Sequence, residues 1–292
     1  MAAPFTLKEE ELEAWRERGF LVLPGFASPG EVAALRNAGD ALLSSFEPAS
    51  NPSVFSTTRQ TETSDEYFLR SADAISFFLE EGVLTPDGTL TRSKELCVNK
   101  VGHALHELDP VFTSWTCSAR IGSLLRQLGL GSPAPMQSMY ITKQPELGGV
   151  VVPHQDSCFL HTTPDTCLGL WLALEDATKE NGALWVIPGS HKQPVTARFV
   201  LTEDRKTRWA GGAPPAYPGL GTSDEEALAN GYVPLEAKAG TLVMLHGAAV
   251  HASALNTSSK SRHAYSVHFV GSDAVWEKTN WLQKAHAPTP LP

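Results

Sequence analysis

Apolar and polar positions change their rhythm about 130 residues into the chain. Before that point apolar residues recur at helical spacing. Leu12 and Trp15 stand among the charges of residues 7–18 and predict a short amphipathic helix closed by Gly19. Phe20-Leu21-Val22-Leu23 reads as a buried strand. Ser28-Pro29, a capping residue followed by proline at the first helical position, opens a second helix running to about Ser44. Polar, proline-bearing residues 47–63 predict a loop. A helical patch is expected over 72–81, and a longer helix over 109–128 that ends at Gly129.

Beyond residue 135 the apolar runs become short: 136–142, 168–174, 183–187, 241–245 and 264–270, separated by clusters of Gly, Pro and Asn. That texture predicts an all-β sandwich or barrel. Asn181-Gly182 and Pro188-Gly189-Ser190 mark tight turns. Residues 200–234 contain Gly211-Gly212, Pro214-Pro215 and Pro218, too long and broken for a plain connector, and predict a lid or a partly disordered insertion. The expected architecture is mainly β with flanking helices, a single domain over 1–292. A helical N-terminal part of about 1–130 buttresses a β-core of about 131–275.

Bulk composition narrows the function. The 292 residues, 42% hydrophobic and 19% charged, suffice for one sizeable core. A net charge of −9 excludes the cationic balance that nucleic-acid binding needs, so no nucleic-acid partner is expected. The longest apolar runs are too short to cross a bilayer, so no membrane association is expected. Neither a secretory nor a peroxisomal address is read at the termini, and a cytoplasmic protein is expected. The four cysteines form no C-x-x-C pair, which argues against zinc knuckles and redox motifs; Cys158 reads as a packed, inert thiol. The oligomeric state is not legible.

The candidate chemistry begins at His154-Gln155-Asp156. On a strand, residues two apart share a face and lie about 6.6 Å apart, so an imidazole and a carboxylate could grip one metal ion from one side. A second imidazole would complete a 2-His-1-carboxylate set that leaves positions open on non-haem iron. His246, His251, His263 and His268 are the downstream candidates. His251 is preferred, because Ser253 shares its face and Arg262 follows a polar turn at 256–260. A hairpin about that turn would bring Arg262 beside the His251–Ser253 face, where a guanidinium and a hydroxyl can hold a carboxylate. A dicarboxylic cosubstrate such as 2-oxoglutarate would need both. His191 reads as a turn-stabilising residue, and His103 and His106 as structural.

Several ordered motifs carry a family resemblance. Gln137-Ser138-Met139-Tyr140, His154-Gln155-Asp156, Leu168-Gly169-Leu170-Trp171, Asn181-Gly182, Pro188-Gly189-Ser190-His191 and His251-Ala252-Ser253 with Arg262 together resemble the phytanoyl-CoA dioxygenase family. Asn99 through His106 and Asp109 through Phe112 match one branch of it more closely. The similarity spans nearly the whole chain and weakens over 200–234. It implies a double-stranded β-helix (jelly-roll, cupin-like) core. It also implies Fe(II) held by His154, Asp156 and His251, and contacts to 2-oxoglutarate from Lys100, Met139, Trp171, Ser253 and Arg262. The implied activity is an Fe(II)- and 2-oxoglutarate-dependent dioxygenase that uses O2 to hydroxylate a small-molecule substrate, releasing succinate and CO2. The family name suggests an acyl-CoA, although no basic cluster near the β-core marks a CoA phosphate site. Two other readings stay open: a jelly-roll metal-binding protein with non-redox activity, and a binding or scaffold protein that retains the fold.

Overall fold

The computed structural model describes residues 5–48, 53–212 and 217–292. Its strands, in chain order, are β1 (Phe20–Leu23), β2 (Ile75–Leu79), β3 (Val98–His103), β4 (Pro133–Ile141), β5 (Val151–His154), β6 (Thr162–Thr163), β7 (Leu168–Ala173), β8 (Leu184–Val186), β9 (Arg198–Leu201), β10 (Thr207–Ala210), β11 (Val233–Leu235), β12 (Leu242–His246), β13 (His251–Ser253), β14 (Ala264–Gly271) and β15 (Val275–Trp276). The larger sheet has seven strands in the order β1-β12-β7-β14-β4-β3-β2, and the smaller has four in the order β11-β8-β13-β5. Every pairing within them is antiparallel. The two sheets form a double-stranded β-helix.

Strand β7 is buried along its whole length and explains the layering. Leu168, Leu170 and Leu172 point outward into a cluster with Leu35, Phe112 and Leu124 of the N-terminal helices. Alternate residues Trp171 and Ala173 point inward and meet Leu184 and Val186 of β8. The period of two thus gives one strand two apolar faces, each covered by a different layer. Helix Pro29–Ser45 starts as expected, with Ser28 capping Glu31 N–H and Glu31 reaching back to the Ser28 N–H. The expected helical buttress is therefore present, packed on the outer face of the larger sheet.

Three expectations need correction. Residues 72–81 are not helical: a 3₁₀ turn at Ser71–Asp73 leads into β2, where Ile75, Phe77 and Phe78 pair along β3. Aromatic and β-branched residues favour a strand once a partner edge is available. The long helix at 109–128 is two, Pro110–Thr116 and Ala119–Gln127, divided where Ser118 accepts from Ile121 N–H and starts a new helix. The expected loop at 47–63 includes a helical turn at Gln60–Thr63. Within residues 200–234 lie most of the β9–β10 hairpin and a helix at Asp224–Ala229, and 213–216 lie outside the described residues. No described helix is long and apolar enough to cross a membrane.

Candidate active site

His154 ends β5 and His251 begins β13, and the two are direct partners across the ladder, with ring centroids 4.2 Å apart. Asp156 is not on the strand, as the spacing had suggested. The strand stops at His154, and Asp156 opens a 3₁₀ turn (Asp156–Cys158) that swings its carboxylate back toward both imidazoles. Oδ1 lies 3.5 Å from His154 Nε2 and 3.7 Å from His251 Nε2. Ligand atoms of the three residues all fall within 4.8 Å of one another.

The protonation pattern suits a metal. His154 Nδ1 is 2.9 Å from Val152 O and His251 Nδ1 is 3.1 Å from Ala249 O. A carbonyl only accepts, so each Nδ1 carries the proton and each Nε2 keeps its lone pair for a ligand. Burial, with His154 alongside, pushes the pKa of His251 down to about 4, which keeps it neutral at ordinary pH. Burial works to raise the pKa of Asp156, but the contacts around it, led by His268, outweigh it and hold the carboxyl well below the usual range. Two neutral nitrogens and one carboxylate oxygen on one side fit octahedral Fe(II) with open positions. A closed structural zinc site would want a fourth ligand, and none joins the cluster among the described residues.

His268, passed over as a ligand, sits directly behind the carboxylate: its Nε2 is 3.1 Å from Asp156 Oδ2. Gly169 makes room for that pair. A Cβ there would come within 3.1 Å of Asp156 Oδ2 and 3.4 Å of His268 Cδ2. Between the two ligands, Gln155 points away from the cavity, donates to Ala248 O at 2.8 Å and accepts from Tyr217 O–H, tying residues after 216 to the ligand turn.

The triad opens into a cavity of about 220 Å³ between the sheets. Lys100, Met139, Trp171, Ser253 and Arg262 all line it. Arg262 is 2% exposed, its Nε and Nη1 have no partner, and its guanidinium lies 5.1 Å from the Trp171 ring. Burial draws its pKa down to about 10, so it stays charged at neutral pH. No hairpin delivers it. Its segment crosses from β13 in the small sheet to β14 in the large one, pinned by Arg262 N–H to Lys143 O and by Asn256 to Lys143 O and Lys260 O. Lys100 is 6% exposed rather than a surface lysine, its ammonium 3.3 Å from the Phe55 ring centroid. Ser253 Oγ donates to Gly182 O at 2.9 Å. Sequence reasoning missed Glu80 and Lys143 at this end of the cavity; burial raises the pKa of Glu80 and lowers that of Lys143 well below its usual value. His191 lies elsewhere, its Nε2 3.2 Å from Arg16 O.

Among known proteins, the profile described as phytanoyl-CoA dioxygenase (PhyH) matches residues 15–264. The chain belongs to the phytanoyl-CoA dioxygenase family. It is an enzyme of the iron- and 2-oxoglutarate-dependent dioxygenase class. A phytanoyl-CoA dioxygenase of Arabidopsis thaliana is 47% identical over 287 residues, covering 98% of this chain and 97% of the relative. Phytanoyl-CoA dioxygenase domain-containing protein 1 of Mus musculus is 43% identical, covering 97% and 96%. The fold is similar to that of EctD from S. alaskensis, solved with 2-oxoglutarate and 5-hydroxyectoine (TM-score 0.65, 21% identity, covering 98% of this chain and 86% of that one). It is also similar to the non-heme alpha ketoglutarate dependent carbocyclase SnoK (TM-score 0.64, 18% identity, both chains covered in full).

Proposed function

We propose that this enzyme hydroxylates a small molecule in the cavity between its sheets, with 2-oxoglutarate as cosubstrate. The observation that carries the reading is the pairing of two features in one cavity: three inward-facing ligand atoms, and a buried guanidinium with two unpartnered nitrogens. A buried charge without a partner is costly and calls for an anion.

In this reading His154, Asp156 and His251 hold ferrous iron. Arg262 grips the distal carboxylate of 2-oxoglutarate, with Lys100 adding positive charge. Ser253 stands at the same end and can turn its hydroxyl from Gly182 O toward the ligand. Met139 and Trp171 form apolar walls that exclude water. Loaded in this way, iron with 2-oxoglutarate and O2 supplies the oxidising chemistry, which ends in succinate, CO2 and a hydroxylated product. His268 fixes the angle of the Asp156 carboxylate. The backbone carbonyls of Val152 and Ala249 fix the two imidazoles.

Residues 1–292 act as one catalytic unit in this proposal, and the four unpaired cysteines accord with a reducing, cytoplasmic setting. Cys158 fits an inert role, since burial pushes its pKa up to about 12. The test is succinate formation from 2-oxoglutarate with added Fe(II). No succinate from folded, iron-loaded protein would sink the reading, and activity with Zn2+ alone would favour a non-redox site.

A further inference from the structure

The cavity has two chemically different ends, and strand register separates them. Arg262 precedes β14, Lys100 pairs with Ile141 of β4, and Ile141 pairs with Ala264 at the start of β14. Four residues further along β14, roughly 13 Å at strand rise, His268 pairs with Gln137, and Ser138 beside it pairs with His103 of β3. His268, Gln137 and His103 line the cavity as a polar row across three neighbouring strands.

That row holds unspent hydrogen-bonding capacity. Ser71 Oγ donates to Phe68 O at 2.5 Å, so its 2.6 Å contact with His103 Nδ1 takes the imidazole N–H. His103 Nε2 is left as a bare acceptor, buried with no partner, on a residue with no exposed surface. His268 spends Nε2 on Asp156 and also leaves Nδ1 buried and unpartnered. Gln137 supplies an amide between them. Two aromatic rings flank the row, Phe68 at 5.6 Å and Trp281 at 5.2 Å from the His103 ring. Of the cations lining the cavity, Lys143 and Arg262 belong to the other end, while Lys100 lies near enough to His103 to disfavour its protonation.

We propose that the His268–Gln137–His103 row is the substrate subsite, and that it takes an uncharged hydroxyl or amide N–H donor carried on a flat, apolar body. An unpaired buried acceptor is costly until a donor meets it, and the flanking rings favour a flat partner. A carboxylate or phosphate brings no donor and would meet the lone pair of His103 Nε2 and the Asp156 carboxylate. His103 then selects the substrate by its Nε2. The assignment rests on the dioxygenase reading for the identity of the neighbouring end.

The probes are phenol, anisole (the same ring without the O–H) and benzoate. Each is titrated calorimetrically into the Fe(II)- and 2-oxoglutarate-loaded protein without oxygen. Phenol is expected to bind at least tenfold more tightly than the other two. His103→Phe should erase the difference between phenol and anisole, and Gln137→Leu should reduce phenol affinity at least threefold. Anisole or benzoate binding as tightly as phenol would overturn the subsite, as would unchanged phenol affinity in the variants. Should His103→Phe fail to fold, the probe ranking and Gln137→Leu decide. Succinate formation by the same preparation separates the two ideas. Succinate with no preference for phenol removes the subsite alone. A phenol preference without succinate keeps the subsite and removes the dioxygenase reading.

Discussion

Asp156 divides its carboxylate between two tasks: Oδ2 lies 3.1 Å from His268 Nε2, and Oδ1 faces the Nε2 atoms of His154 and His251 at 3.5 and 3.7 Å. His268 therefore sets the direction from which the acid meets a metal. Removing such a partner of a ligand lowers metal affinity by about 10–100-fold. His268→Leu is expected to weaken Fe(II) binding by that factor with the fold intact, measured by metal titration and circular dichroism. Unchanged iron affinity would remove His268 from the positioning role.

In the proposed assignment the metal and the cosubstrate are held by different residues, so their losses should separate. Asp156→Ala is expected to abolish iron retention. Arg262→Ala is expected to leave iron bound and raise the 2-oxoglutarate requirement about 10–100-fold, the scale of lost charge-assisted hydrogen bonds. Metal analysis alongside succinate kinetics checks both. Equal iron loss in the two variants would contradict the assigned roles.

Burial lowers the pKa of Lys100 to about 7, so without ligand its ammonium is roughly half deprotonated at neutral pH. A carboxylate placed nearby favours the charged form. Binding of 2-oxoglutarate should therefore take up a proton above pH 7, and affinity should fall as pH rises from 7 to 9. Calorimetry in buffers of different ionisation enthalpy measures the uptake. In Lys100→Met the uptake and the pH slope should both vanish. The stability consequence has its own sign. Between the folded value near 7 and the usual 10.5 the unfolded chain binds more protons, so this residue makes the unliganded fold more stable as pH rises through that window.

Gly182 occupies φ +84°, and a Cβ there would lie 2.5 Å from Lys143 Cε and 2.9 Å from Ala254 O. Gly182→Ala should destabilise the protein by roughly 1–3 kcal/mol, seen as a fall of several degrees in Tm. It should also displace Lys143, whose ammonium donates to Gly149 O at 2.5 Å beside the cavity. A Tm equal to that of the parent would show the turn to be more forgiving than its geometry.

The parts of the site carried by local pattern were legible in the sequence. His154, Asp156 and His251 stood out because their residue types and spacing are metal-ligand chemistry, and β4, β7, β12 and β14 because their apolar runs are short and bounded by turns. What failed depended on pairing between distant strands. Residues 72–81 look helical until β3 offers an edge. Arg262 looked like part of a hairpin because nothing local reveals that residues 254–263 change sheets. That His103 borders the cavity was hidden in the same way, since its place is set by β3 pairing with β4, thirty-five residues away at Ser138. Asp156 leaving its strand is a similar case: a 3₁₀ turn replaced the assumed pleat and still delivered the carboxylate to the same point.

The register of β14 has an evolutionary consequence. One strand carries Ser266 and His268 into the cavity and is led in by Arg262, whereas Gln137 and His103 reach it from the neighbouring β4 and β3, so the proposed grip on the cosubstrate and the proposed choice of substrate are written on different strands. On the proposed assignment, exchanges at Gln137 or His103 would redirect the enzyme toward a new compound while the oxidising apparatus passes unaltered from one descendant to the next.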